Sequence, residues 1–413
     1  MRNTGLGDTP IAEEPEQLLF NPPPDIGLAP DALDNIPRYL FRIVSPRSDG
    51  KTDATWVRSE AAEQNKDSSR QDIFESLDSQ KKAVIARTLS KHLWWKKDDV
   101  EDNFVSWTSS LLFALQYIYY RHRSWKDRSR LEDIRLYVID TTRFPRGTFL
   151  CDLDLLEVFC EFDVHVNSRQ DLNNLRTLRT GGGFYFGEYL SQGSLEIANK
   201  HQSIGAVLLF KDNLLHRLQP LFSDIQVPAD VKPLWAKEVL DLREKIWPAN
   251  TPGQLSMQER SRRLGVVWEI VHLFDRGWRF PLAVYFAALI GPEAGGRGDT
   301  FLNTSAREMD CLGFSDFHII APGTMPELTR AKELVHEVYM YFLAYRASEF
   351  VRKAETLIRH LHPRHVSELE GAFPVADTGC NKGILPARTL LERSGDLRAV
   401  CEEAVKVYAH DKE

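Results

Sequence analysis

The sequence has few of the features that mark secreted or membrane-spanning proteins. Its 413 residues include only five cysteines, odd in number and scattered, which predicts free thiols in a reducing compartment, cytoplasmic or nuclear. The longest dense apolar stretch, residues 280–290, is shorter than the roughly 20 residues that a membrane span needs. The first 17 residues lack an apolar core and carry acids, so we expect neither a targeting signal nor a membrane partner.

Positive charge is not in excess either. The chain has 52 Lys and Arg residues against 59 Asp and Glu, a formal net charge of −7, so no global attraction to nucleic acid follows. One local segment, residues 119–130, interleaves Tyr and Trp with Arg and Lys. This pattern is found in nucleic-acid contacts, but a solvated helix end and loop explains it more simply, so nucleic acid stays the lesser alternative as a partner.

Common nucleotide and metal motifs are also missing. No Walker sequence is present, and the glycine-rich run at residues 181–187 precedes a predicted strand, whereas a Rossmann turn opens a helix. His336-Glu337 begins like a zinc-protease helix, but Met340 stands where the second His is needed. The sequence therefore predicts no metal.

Composition divides the chain into three parts. Residues 1–36, with the run Asn21-Pro22-Pro23-Pro24-Asp25, predict an extended or disordered arm. Residues 37–225 alternate β-rich and helical segments, which predicts an α+β domain. Residues 226–413 repeat apolar side chains at helical spacing, which predicts an all-helical half.

Short β-rich runs of the α+β domain predict its strands, at residues 39–44, 104–109, 134–140, 184–190 and 206–210. Ser109 or Ser110 can cap a helix over residues 111–120, because a hydroxyl there accepts from the free amides of the first turn. The run Gly181-Gly182-Gly183 predicts a flexible loop before the fourth strand.

Polar residues on three of these strands resemble a known site. Arg42 lies on the first strand, Ser106 on an aromatic-Ser-x-Thr strand that leads into a helix, and Glu188 on a strand behind the glycine loop. This order is the Arg–Ser–Glu pattern of ADP-ribosyltransferases, and residues 104–111 and 188–193 are similar to strands of bacterial ADP-ribosylating toxins. The resemblance implies an ADP-ribosyltransferase-like split antiparallel sheet, with NAD+ as the substrate and no metal.

The resemblance also implies a role for each residue. Glu188 would be catalytic, because its carboxylate would stabilise the oxocarbenium-like ribose that forms when nicotinamide leaves. Arg42 would bind the phosphates or brace the ribose of NAD+. Ser106 would orient Glu188 and, with Thr108, line the NAD+ site. A mobile loop would touch the acceptor through Gly182, Phe184 and Tyr185.

One position departs from the pattern. Arginine-modifying members carry a second acid two residues before the catalytic glutamate, where this chain has Phe186. We therefore expect NAD+ glycohydrolysis, transfer to a protein or nucleotide acceptor other than arginine, or an inactive copy. The alternative is a non-catalytic interaction or scaffold protein, which would use a degenerate ADP-ribosyltransferase-like fold and the helical half to bind a partner. Convergence of Arg42, Ser106 and Glu188 on one cleft would favour the enzyme.

A second resemblance covers the same three blocks. Residues 41–50, 106–114 and 186–191 are similar to a family of filamentous-fungal proteins that has no assigned function. This resemblance suggests a fungal source and implies that the three blocks form one unit. It implies no chemistry.

Overall fold

A computed structural model describes residues 17–96, 100–163, 170–181, 183–222, 236–248, 255–292, 317–342 and 352–353. Backbone contacts divide the chain into two compact units, and the described residues up to Pro292 and from 317 to Lys332 belong to the first. The described residues 333–342 of the second unit are helical. Within the described ranges, no helix is long and apolar enough to cross a membrane.

An antiparallel sheet lies at the centre of the first unit. Across this sheet the strands follow the order β6 (Leu150–Cys151), β7 (Glu188–Gln192), β4 (Phe104–Thr108), β1 (Tyr39–Val44), β5 (Arg135–Asp140) and β9 (His201–Gly205). A smaller sheet contains β2 (Lys51–Thr52), β3 (Trp56–Arg58) and β8 (Ser194–Glu196). The predicted antiparallel sheet in an α+β fold is confirmed.

Helices connect and cover these strands. They are α1 (Glu60–Glu63), α2 (Ser79–Trp94), α3 (Leu111–Arg123), α4 (Asp152–Phe159), α5 (Leu172–Gly181), α6 (Ala206–Phe210), α7 (Leu214–Leu218), α8 (Ala236–Ile246), α9 (Met257–Val271) and α10 (Arg276–Ala288). Side-chain caps fix where two of them begin, because Asp78 accepts from the Lys81 amide and Ser110 from the Phe113 amide. The prediction of a cap at Ser110 is confirmed.

Strands β1 and β4 diverge in the middle of the large sheet. They pair at a single position, Phe41 with Thr108. By contrast, β4 and β7 pair without interruption from Phe104 to Thr108, and β1 and β5 pair along the whole of β1. The large sheet therefore consists of two well-paired halves, β6-β7-β4 and β1-β5-β9, with almost no main-chain pairing between them.

Apolar side chains bury both faces of the sheet. Phe104 and Leu190 face a core built with α2, α4 and α5, to which Leu89 and Phe159 contribute. The alternate residues of the same strands face the smaller sheet, in a second core that includes Leu40, Val57, Trp107, Tyr189 and Leu195. This alternation, two residues per repeat, decides which polar side chains share a face.

Three local predictions are corrected. Residues 206–210 form α6 and not a strand, and the strand in this part of the chain is β9, just before them. The prediction failed because a five-residue apolar run fits a buried strand and a buried helical turn equally well. The glycine run is not simply a loop, because Gly181 is the last residue of α5. Strand β7 begins at Glu188, four residues later than predicted.

Helices make up most of the described part of the C-terminal half, as predicted, although residues 317–325 are not helical. Helix α10 packs on β1, with ring centroids 5.8 Å apart for Tyr39 and Trp278 and 5.1 Å apart for Phe41 and Tyr285. Of the predicted N-terminal arm, residues 1–16 lie outside the described residues, and Phe20 is buried in the core. The domain limits at residues 36 and 225 stay predictions.

Candidate functional site

Three residues singled out from the sequence converge beside the divergence of β1 and β4. The Ser106 hydroxyl donates to Oε1 of Glu188 at 2.6 Å. Nη1 of Arg42 donates to the main-chain carbonyl of Ser106 at 2.8 Å. All three side chains are half-buried. The structure thus joins the side chains of Ser106 and Glu188 directly and brings the Arg42 guanidinium to the main chain of Ser106.

The register of β4 and β7 explains the contact between Ser106 and Glu188. Thr108 lies opposite Glu188, and Ser106 lies opposite Leu190, so Ser106 and Glu188 are diagonal neighbours on one face. Gly187 allows the chain to approach this position, since its φ is +66° and an added Cβ would lie 2.0 Å from Oγ of Ser109. A larger residue at this position would displace the start of β7 and with it Glu188.

The Ser106 hydroxyl also contacts a histidine, His92, that was not among the predicted site residues. His92, in the last turn of α2, places Nε2 2.7 Å from the Ser106 hydroxyl. Its Nδ1 lies 2.7 Å from Oδ2 of Asp102. Burial opposes the charged ring, but the charge and hydrogen bond of Asp102, with a smaller contribution from Glu188, outweigh burial and raise the pKa of His92 above its usual 6.5.

Helix α5 supplies a cation that holds the second oxygen of Glu188. Nη2 of Arg179 donates to Oε2 of Glu188 at 2.8 Å, and its Nη1 contacts Oδ2 of Asp152. Asp152 is fully buried. Both carboxylate oxygens of Glu188 are therefore fixed, one by a hydroxyl and one by a guanidinium, which leaves little freedom of orientation.

Arg42 is a cation with unused hydrogen-bonding capacity. Its Nε is buried and has no hydrogen-bond partner, and no carboxylate of the described residues pairs with it. Its guanidinium lies 6.0 Å from the centroid of the Trp107 ring. Burial lowers the pKa of Arg42 to about 10, so it remains charged at neutral pH. A half-buried guanidinium without an ion-pair partner among the described residues is suited to an anionic group of a ligand.

Of the remaining predicted site residues, two have side chains that make other hydrogen bonds and one lies outside the described residues. The Thr108 hydroxyl donates to the Phe186 carbonyl at 2.6 Å and accepts from the Ser110 amide at 3.0 Å, so the main chain occupies it. Tyr185 is buried with its hydroxyl 3.2 Å from Sγ of Cys151. Phe184 is half-buried, and Gly182 lies outside the described residues.

A buried ion pair holds the segment that leads into β7. Arg243 on α8 pairs with Glu327 at 2.6 Å, and both side chains are almost fully buried. Its Nη1 donates to the carbonyl of Tyr185 at 2.9 Å and to that of Gly183 at 3.3 Å. The segment predicted as a mobile acceptor loop is therefore tied down in its described part.

Phe186, at the position of the missing second acid, takes part in an aromatic stack. Its ring is 4.9 Å from Phe113, which stacks at 5.9 Å on Tyr117. The guanidinium of Arg243 covers Phe186 at 5.3 Å. Phe186 thus has a structural role in the packing of α3.

Comparison with known proteins gives one match. A family described as a domain of unknown function (DUF7587) matches residues 35–169. This range contains Arg42, His92, Asp102 and Ser106, whereas Arg179 and Glu188 lie beyond it. No curated protein and no solved structure matches the chain. Residues 35–169 are therefore similar to a family without assigned function, as the sequence analysis expects for the blocks around Arg42 and Ser106.

Proposed function

We propose that the protein cleaves the bond between nicotinamide and ribose in NAD+, as a glycohydrolase or as an ADP-ribosyltransferase whose acceptor is not arginine. The observation that carries the proposal is the 2.6 Å hydrogen bond between Ser106 and Glu188. A carboxylate whose orientation is fixed before the reaction can stabilise positive charge without reorganising.

The proposed reaction assigns each group a role. The glycosidic bond breaks with its electron pair leaving on nicotinamide, and positive charge grows on the ribose next to Glu188. Water adds to the ribose and releases a proton, giving ADP-ribose, unless an acceptor takes the place of water. Arg42 would bind the diphosphate, because its half-buried guanidinium is a cation that pairs with no carboxylate of the described residues.

The choice of acceptor follows from Phe186. Phe186 occupies the position two residues before Glu188, so no carboxylate stands there to activate a guanidinium nucleophile. Its side chain is buried in the aromatic stack. Water or a non-arginine acceptor is therefore proposed.

A second candidate is a serine hydrolase. Asp102, His92 and Ser106 are joined by contacts of 2.7 Å and 2.7 Å, in the order of a Ser–His–Asp triad. Glu188 argues against it, since its carboxylate lies 2.6 Å from the hydroxyl and would repel the oxyanion of an acyl intermediate. Labelling of Ser106 by a fluorophosphonate would favour this candidate, and absence of labelling would remove it.

Nicotinamide release from NAD+ tests the proposal directly. Wild-type protein should release nicotinamide, and Glu188→Gln should abolish most of the release while retaining the fold. Glu196→Gln is the matched control, because this glutamate lies on β8 of the smaller sheet and pairs with Lys200 in the turn that follows. If wild-type protein neither releases nicotinamide nor binds NAD+ at millimolar concentration, the non-catalytic interaction protein becomes the better description.

A further inference from the structure

Among the described residues, His92 is the one ionisable side chain in contact with Ser106 that the proposed reaction does not yet use. We propose that it is a positioning residue: its imidazolium form directs the hydroxyl proton of Ser106 onto Glu188. Asp102 holds the ring in that form. The inference rests on the proposed function, because it assigns His92 a role in preparing Glu188 for NAD+ cleavage.

Counting protons identifies the state of the ring. Ser106 has one hydroxyl proton but two close neighbours, Nε2 of His92 at 2.7 Å and Oε1 of Glu188 at 2.6 Å. A neutral ring protonated on Nδ1 makes Nε2 an acceptor, so two acceptors compete for that proton. In a neutral ring protonated on Nε2, Nδ1 is an acceptor. It would then lie 2.7 Å from Oδ2 of Asp102, which is also an acceptor, with no proton between them.

The imidazolium removes both conflicts. Nδ1 donates to Asp102, Nε2 donates to the Ser106 oxygen, and the hydroxyl proton is left for Glu188. Every contact then has one donor and one acceptor, and the chain of hydrogen bonds has a single direction. A neutral ring could also be accommodated by a protonated Glu188, but the guanidinium of Arg179 at 2.8 Å is the partner of a carboxylate.

The charges that face His92 come from several elements. Asp102, just before β4, and Glu188, on β7, favour the charged ring, whereas Arg42 on β1 and burial oppose it. Phe104 contributes only an aromatic edge, at 5.7 Å. The balance raises the pKa of His92, so the imidazolium persists to higher pH than in a free histidine. Deprotonation then takes the donor away from Ser106 as the pH rises.

Two substitutions separate donation from charge. Gln at position 92 can donate an amide hydrogen to Ser106 at every pH, whereas Leu cannot donate at all. We expect kcat of the wild-type protein to fall as pH rises through the pKa of His92. His92→Gln should lose this fall and retain more activity than His92→Leu, which should lose roughly tenfold at pH 6, the size of one hydrogen bond. His272→Gln, an exposed histidine after α9, is the control.

Nitrogen-15 NMR of the histidine rings gives a reading that needs no catalysis. At pH 7 a free histidine, with a pKa of about 6.5, is mostly neutral. We expect both ring nitrogens of His92 to be protonated there, and Glu188→Gln to lower the pKa of the ring by removing one negative charge. This measurement also covers the case in which His92→Leu does not fold.

The outcomes distinguish the two proposals. A neutral His92 at pH 7, or an identical pH profile for wild type and His92→Gln, overturns the positioning role. If no variant and no wild-type sample cleaves NAD+, the proposed function fails, and the ring measurement alone decides the protonation of His92.

Discussion

The Ser106 hydroxyl on β4 lies 2.6 Å from Oε1 of Glu188 on β7, although 82 residues separate them in the chain. This contact is the middle of a continuous series of polar contacts that runs from Asp102 to Asp152 through His92 and Arg179. Because each member fixes the next, a change at one end alters the electrostatics at Glu188 without touching it.

Replacing Glu188 by Gln should affect the chemical step and leave binding almost unchanged. The amide keeps the shape and one accepting oxygen, but it replaces the other oxygen by a donor and removes the charge that stabilises the ribose cation. We expect kcat for nicotinamide release to fall by roughly 10²–10³. The Kd for NAD+, measured by calorimetry, should stay within a few-fold because the ground-state ribose is neutral. An equal loss in the Glu196→Gln control would contradict the assignment.

Replacing Arg42 by Met should separate stability from binding. The guanidinium has a buried, unpartnered Nε and no ion pair among the described residues, with only the charge of Asp49 in its favour, so it is costly to keep in the fold. We expect the free energy of unfolding in urea to be unchanged or to rise by about 1 kcal/mol. NAD+ affinity should fall at least tenfold. A destabilised protein that still binds NAD+ as wild type does would show that Arg42 is structural.

Replacing Arg179 by Met should destabilise the fold. Asp152 is fully buried, and Arg179 is the cation that pairs with it. Removing one partner of a buried pair costs about 3–5 kcal/mol, because the other charge stays buried and uncompensated. Urea denaturation measures the loss. The double variant with Asp152→Asn, which removes the stranded charge, should recover much of it; failure to recover would place the cost elsewhere.

The stability of the protein should depend on pH through His92. The pKa of this ring is higher in the folded protein than its usual 6.5, so folding favours the protonated ring. The stabilisation is complete below pH 6.5 and is lost as pH rises through the folded pKa. The free energy of unfolding of wild type, relative to His92→Gln, should therefore be larger at pH 6 than at pH 8.5. A difference that grows with pH would have the wrong sign.

The strands of the site could be predicted because their residues carry a local signal. Runs such as Tyr39–Val44 and Phe104–Thr108 are β-rich, and a Ser cap marks where β4 gives way to α3. The prediction failed at residues 206–210, where five apolar residues fit either kind of buried element. It also did not foresee that Gly181 continues α5.

His92 and Arg179 could not be found in the same way. Each is a polar residue near the C-terminal end of a helix, where a basic side chain is usual because it offsets the helix dipole. They belong to the site because the ends of α2 and α5 pack next to β4 and β7, and this tertiary packing cannot be predicted from the local sequence. The spacing of His92 and Asp102, ten residues apart across the end of α2, is the one signal that a closer reading could have used.

The single pairing between Phe41 and Thr108 has a mechanical consequence. Ser106 and Glu188 belong to one half of the large sheet, and Arg42 belongs to the other. A molecule bound by Arg42 at one end and by Glu188 at the other would connect the two halves of the sheet, which the main chain joins at one position only. Its binding should therefore stiffen the sheet itself, and slower amide exchange along β1 and β4 would record that stiffening.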